Sequence, residues 1–130
     1  WRFVTGQGKN IKNVTGGGAS PGAGMLAEGT ADVFVYLGKD AAGDITYVGI
    51  SNDVLRREVE HKGLYTLEPI TSGPVTRNQA KAIEQAYMNK YGKKKDGGIL
   101  KNKNNSIAKS RDWYNDAVSY GNKWLKENGY

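Results

Sequence analysis

From residue 32 the chain reads Asp32-Val33-Phe34-Val35-Tyr36-Leu37-Gly38, then Lys39-Asp40-Ala41-Ala42-Gly43-Asp44, then Ile45-Thr46-Tyr47-Val48-Gly49-Ile50. Two runs rich in Val, Ile, Phe, Tyr and Thr flank a stretch of turn-forming residues, which predicts a β-hairpin. If the hairpin closes around Ala41 and Ala42, Tyr36 and Tyr47 lie opposite one another on one face, with their Cβ atoms roughly 5 Å apart. A hairpin alone is marginal in water, so other elements must cover a face of it.

The sequence on either side supplies them. Residues 53–62 read as a short helix capped by Asn52 or Asp53, with Leu55 and Val59 as its core edge. Leu64–Ile70 reads as a third strand ending near Pro69. Thr76-Arg77-Asn78-Gln79 has the form of a capping box, so a helix is expected from Arg77 to Tyr91, stopping before Gly92. Residues 93–109 read as a basic, Asn-rich connection, and Ser110 as the cap of a last helix running to about Glu127. The expected fold is α/β (α+β): a small three-stranded antiparallel sheet flanked by helices. Expected core residues are Val33, Val35, Val48, Ile50, Leu55, Val59, Ile83, Tyr87, Val118 and Leu125. Residues 1–31 carry eight of the 18 glycines and read as a linker or loosely attached arm, leaving 32–130 as the domain. Gly6-Gln7-Gly8-Lys9 lacks the spacing of a phosphate loop. A first residue that is Trp suggests a piece of a longer chain.

Composition narrows the chemistry. Among 130 residues there is no Cys and one His, which excludes a disulfide framework, a thiol nucleophile and a His-rich zinc cage. No apolar run reaches the length of a membrane span. The net charge is +6, and it is uneven: Arg77 to Arg111 carries +8 and the remainder −2. Such a surface suits phosphates, with Lys93, Lys94, Lys95, Lys101 and Lys103 as candidate nucleic-acid contacts.

Three features are candidates for a site. Tyr36 and Tyr47 pair across the hairpin, as aromatic residues often do for packing alone. Arg57 and His61, four apart, share a face of the short helix, where a guanidinium grips phosphate in a fork and an imidazole moves a proton. Glu84 lies inside the apolar stripe Ala80, Ile83, Tyr87, Met88 and Tyr91. A carboxylate there is costly unless it is paired with Arg57 or a lysine, or bound to a metal; with no His or Cys companion the suitable ion is Mg²⁺.

In this order and spacing the residues resemble the GIY-YIG nuclease superfamily. Phe34-Val35-Tyr36 stands for its Gly-Ile-Tyr and Tyr47-Val48-Gly49 for its Tyr-Ile-Gly, with ten residues between the tyrosines. Ser51, Arg57 and His61 follow at the family's steps, Glu84 matches its metal-binding glutamate, and Asn102 or Asn105 its downstream asparagine. Phe34 replaces the first glycine, and Ile50 stands where some members have Lys or Gln. The resemblance covers about residues 33–105. It implies a Mg²⁺-dependent endonuclease acting on DNA. Tyr36 or Tyr47, its pKa lowered by nearby cations, would activate water; Arg57 would stabilise phosphate charge, Glu84 would hold the metal and His61 would assist proton transfer. RNA such as tRNA is the alternative substrate, and a non-catalytic nucleic-acid-binding module or a domain binding an acidic protein are the alternative classes. A glycine-rich arm before a basic nuclease-like domain also resembles the C-terminal tips of bacterial polymorphic toxins of the contact-dependent and Rhs types. That implies delivery as part of a secreted or cell-surface protein, action in the cytoplasm of a target bacterium, and a cognate immunity protein with an acidic face.

Overall fold

The computed structural model describes residues 21–60 and 65–130. The order of elements is helix α1 (Pro21–Leu26), strands β1 (Phe34–Lys39) and β2 (Ile45–Ser51), helix α2 (Val54–Glu60), strand β3 (Thr66–Pro69), helix α3 (Arg77–Tyr91), a 3₁₀ turn (Lys94–Asp96) and helix α4 (Tyr114–Glu127). The three strands form one antiparallel sheet in the order β2-β1-β3, so the architecture is a small α+β fold with β1 at its centre.

Because side chains alternate across a strand, the sheet has two different faces. Val35, Leu37 and Val48 point into the main core, where they meet Ile83 and Tyr87 of α3 and Trp124 and Leu125 of α4. Each such side chain contributes about 1.5–3 kcal/mol by leaving water. Helix α3 is the central element. Its start is the expected capping box: Gln79 N–H donates to Thr76 Oγ1 at 3.1 Å, and Thr76 N–H to Gln79 Oε1 at 3.0 Å. Its end is Gly92, whose φ of +79° few other residues adopt readily. Helix α4 crosses α3 closely at Gly121, which Ala82 and Ala86 would leave no room to enlarge. A second cluster joins Leu26 of α1 to Ala82, Ile107, Trp113 and Ala117. The Thr76 hydroxyl donates to Leu26 O at 2.6 Å, so α1, within the stretch expected as an arm, is docked on the domain. Among the described residues no helix is long and apolar enough to cross a membrane.

Several expectations are corrected. The hairpin turn is held by the Asp40 carboxylate, which accepts from Ala42 N–H and Asp44 N–H, both at 3.0 Å, and the pairing beside it is offset by a bulge at the step from Gly38 to Lys39. Together these move the register by two residues: Tyr36 sits opposite Gly49, and Tyr47 opposite Gly38. Leu55 and Val59 are not a core edge but are 76% and 75% exposed. The Glu58 carboxylate accepts from Leu67 N–H at 2.9 Å and turns the other side of α2 toward β3. Ile50 and Val118 are only partly buried. The last helix begins at Tyr114 rather than after Ser110, because residues 108–113 form tight turns, with Arg111 N–H bonded to Ala108 O and Tyr114 N–H to Arg111 O.

Candidate active site

The outer face of the sheet carries Tyr36 and Tyr47. As diagonal neighbours, each phenol lies across the glycine opposite itself, Tyr36 over Gly49 and Tyr47 over Gly38. Their rings meet edge to face with centroids 5.9 Å apart, an arrangement favoured by the ring quadrupoles, and their hydroxyls are hydrogen-bonded to one another. Tyr47 in turn meets Tyr65 edge to face at 5.2 Å, and Lys101 Nζ stands 5.8 Å from the Tyr65 ring centre. A continuous path therefore runs from Tyr36 through two further aromatic rings to a lysine of the basic connection.

Arg57 reaches this face from α2. Asp53 caps that helix, its carboxylate accepting from Arg56 N–H at 3.0 Å, and the buried Ser51 hydroxyl fixes the preceding turn by accepting from Asp53 N–H at 2.9 Å. Ser51 thus serves the geometry of the turn that places Arg57. Arg57, Glu84 and Glu60 all act electrostatically on the Tyr36 hydroxyl. Arg57 lies 3.8 Å from Glu60, too far for a hydrogen bond, whereas Arg56 binds Glu60 at 2.9 Å. His61 lies outside the described residues.

Burial governs both phenols. It raises the Tyr36 pKa despite the hydrogen bond from Tyr47 and the charge of Arg57, which both lower it; it raises that of Tyr47 further. The expected lowering by cations is therefore corrected, since desolvation outweighs them. Arg57 favours the anion of both phenols, and Tyr36 alone also accepts a hydrogen bond from the other phenol.

Glu84 projects from α3 into a partly buried position. Burial pushes its pKa from 4.5 up to about 7, against a hydrogen bond from the Ser106 side chain and the charge of Lys81. None of the ion pairs among the described residues includes Glu84. A carboxylate so placed, with a hydroxyl and no cation bound to it, fits a divalent ion held through one protein oxygen. Among the described residues no group of three or more His, Cys, Asp or Glu side chains forms, so the ion suited to this donor set is one that keeps most of its waters, as Mg²⁺ does.

The two candidate asparagines have different neighbours. Asn102 binds the edge of β2 with both ends of its amide: Oδ1 accepts from Val48 N–H at 3.1 Å and Nδ2 donates to Val48 O at 2.8 Å. Lys101 N–H donates to Thr46 O beside it, so residues 101–102 cover an otherwise open strand edge. Asn105 Oδ1 accepts from Gln85 Nε2 at 3.3 Å and from Lys93 Nζ at 2.5 Å. Lys93 is thereby committed to the loop, while Lys94, Lys95, Lys101 and Lys103 are exposed.

Three contributors had no signal in the sequence. Gln85 is fully buried, and its amide binds Asn89 Oδ1, Asn105 Oδ1 and Ile107 N–H. It holds the loop that brings Ser106 to Glu84. A Gln beside a Glu on a helix is usually solvated, and nothing in periodicity marks this one. Tyr65, just before β3, is identified only by its place against Tyr47. No family model matches the chain, and neither a curated protein nor a solved structure is detectably similar to it.

Proposed function

We propose that the chain is a metal-dependent endonuclease that hydrolyses phosphodiester bonds of DNA, serving as the toxic effector domain of an interbacterial toxin neutralised by a cognate immunity protein. The observation that supports the nuclease reading is a convergence. The Tyr36 hydroxyl, bonded to Tyr47, lies within electrostatic reach of Arg57 from α2 and Glu84 from α3. The toxin setting rests on the resemblance of the GIY-YIG-like domain and its glycine-rich segment.

In this reading water attacks phosphorus, the bond from phosphorus to one ester oxygen breaks, and that oxygen leaves with a proton. Tyr36 orients the attacking water through its hydroxyl, with Tyr47 fixing the phenol. Arg57 binds the non-bridging oxygens and stabilises the charge that grows on them. Glu84 would hold Mg²⁺, which when bound polarises the phosphate and supports the leaving oxygen. His61 keeps the proton-transfer role the resemblance implies. The exposed Lys94, Lys95, Lys101 and Lys103 offer positive charge to the strand's phosphates.

Supercoiled plasmid incubated with the full chain tests this. Nicking is expected with Mg²⁺ and not with excess EDTA, and Glu84→Gln should abolish it while nucleic-acid binding remains. A Glu84→Gln variant that cuts like the wild type would refute the assigned site. Intact plasmid together with Mg²⁺-dependent cleavage of tRNA would move the substrate to RNA. Binding of both polymers without cleavage of either would reduce the chain to a binding module.

A further inference from the structure

A cleft of about 300 Å³ opens between α1, α3 and the loop before α4, and Ser106, the hydrogen-bond partner of Glu84, lines it. Its walls include Met25, Lys81, Ser106, Ile107, Arg111 and Trp113. That volume is at the lower end of ligand sites and accommodates a phosphate with part of its sugar. Two cations face it and no carboxylate lines it. Neither Lys81 nor Arg111 belongs to any ion pair among the described residues.

The cleft is built rather than incidental. Its wall at Ser106 and Ile107 is pinned by the fully buried Gln85, which bonds the residues on both sides of Ser106. Ser106 lines the cleft and also donates to Glu84, so the two places share a wall. Lys81 lies one helical turn before Glu84 on the same face of α3. The apolar back, Met25 and Ile107 with the largely buried Trp113, suits the sugar edge of a nucleotide better than a free ion.

We infer that this cleft holds a backbone phosphate of the nucleic-acid strand adjacent to the phosphodiester presented at Glu84, with Lys81 and Arg111 on its oxygens and Ser106 as a neutral partner. The inference deepens the nuclease reading and rests on it for the identity of the strand. Lys81, Arg111 and Ser106 are positioning residues: they fix where the strand lies, not how the bond breaks. Contact of this kind ignores base sequence, so its loss weakens binding alike for all sequences.

The test is fluorescence anisotropy of a labelled 16-base-pair DNA duplex with the full chain in EDTA, where no cleavage intervenes, over a fourfold range of salt. Each lost phosphate contact should lower the slope of log K against log salt by about 0.9. The pair Lys81→Gln and Arg111→Gln should therefore lower it by about 1.8, and over that range wild-type affinity should fall about twelvefold more than that of the double variant. Arg111→Gln alone, which leaves the charge beside Glu84 in place, should account for half. Lys123→Gln, on the exposed side of α4, removes the same charge elsewhere and should leave the slope unchanged. An RNA duplex of the same sequence in a parallel arm shows which polymer supplies the phosphate. If the chain cleaves plasmid but the cleft variants bind with the wild-type slope, or with the slope of Lys123→Gln, the cleft assignment is wrong and the nuclease reading stands. If binding depends on the cleft but nothing is cleaved, the reverse holds. A wild type that neither binds nor cleaves overturns both.

Discussion

Gly49→Ala would set a methyl group against the phenol that defines the candidate site. A Cβ at Gly49 would lie 2.5 Å from the Tyr36 hydroxyl oxygen and 2.6 Å from its Cζ. Ordinary contacts lie at about 3.5 Å, so the ring must move by about 1 Å. It has little room to do so: Tyr36 is 4% exposed and meets Tyr47 edge to face. Forcing a methyl into such packing costs about 1–3 kcal/mol. For a domain of this size that lowers Tm by about 4–12 °C. If Tyr36 orients the attacking water, a displacement of about 1 Å also lowers the cleavage rate by about a hundredfold, measured well below Tm. Circular-dichroism melting and plasmid nicking read the two effects separately. Gly73→Ala is the control, since no heavy atom stands within 4 Å of its Cβ position, and it should match the wild type in both. In a Tyr36→Leu background the Gly49→Ala cost should shrink by at least about 1 kcal/mol, as expected for residues in contact. A Gly49→Ala chain with wild-type Tm and rate, or a coupling below about 0.5 kcal/mol, would refute the proposed crossing of Tyr36 over β2.

Three further outcomes are expected. Glu84, with its pKa raised from 4.5 to about 7, holds a proton in the native state that the unfolded chain has already released between those values. Stability should fall as pH rises through that window and level off above it, by on the order of 3 kcal/mol; the difference in unfolding free energy between wild type and Glu84→Gln should shift by that amount between pH 5 and pH 8, and a constant difference would show that Glu84 is not desolvated. Asn102→Ala removes both bonds to Val48 and leaves a strand edge unpaired, so denaturant melting should show a loss of about 1–3 kcal/mol, with nicking below the midpoint retained within a few fold if the role is structural. Gly121→Ala would place a methyl 2.3 Å from Ala82 O and 2.6 Å from Ala86 Cβ, driving α4 from α3; a loss of about 2 kcal/mol or more is expected, and an unchanged chemical-denaturation midpoint would rule out the close crossing.

What the sequence disclosed follows from how local each determinant is. The α3 helix was legible to the residue because its signals, Thr76 with Gln79 at one end and Gly92 at the other, lie within the helix and its caps. Glu84 was legible as an anomaly because helical periodicity alone places it among apolar neighbours. The hairpin was legible, but its register was not: strand alternation is satisfied equally by registers two residues apart, and the choice was made by the Asp40 turn and the bulge at Gly38. Leu55 and Val59 misled because an apolar pair at helical spacing says only that one face is greasy. Which face turns inward was decided at a distance, by the bond from Leu67 N–H to Glu58. Gln85 and Ser106 were invisible for the same reason, since their partners lie about twenty residues away and have no spacing rule.

The electrostatics of the site divide its labour. With both phenols kept protonated by burial, neither Tyr36 nor Tyr47 offers a negative charge to Arg57 at neutral pH. Glu60 offers one only loosely, at 3.8 Å, because its stronger bond goes to Arg56. The Arg57 guanidinium is therefore held near the phenols without being spent on a close ion pair. A phosphate entering between them gives it what Glu60 does not, two oxygens in the geometry of its fork. Glu84 likewise makes no close ion pair among the described residues: it is bonded to the neutral Ser106 hydroxyl, and Lys81 acts on it without a direct contact. In a domain whose surface between Arg77 and Arg111 is crowded with lysines, a partly buried carboxylate that none of them closes upon is conspicuous. Under the proposed hydrolysis the charged work falls to Arg57 and Glu84, and the tyrosine pair supplies position: a hydroxyl fixed by its neighbour's hydrogen bond, on rings that pass close over the two glycines opposite them and meet edge to face.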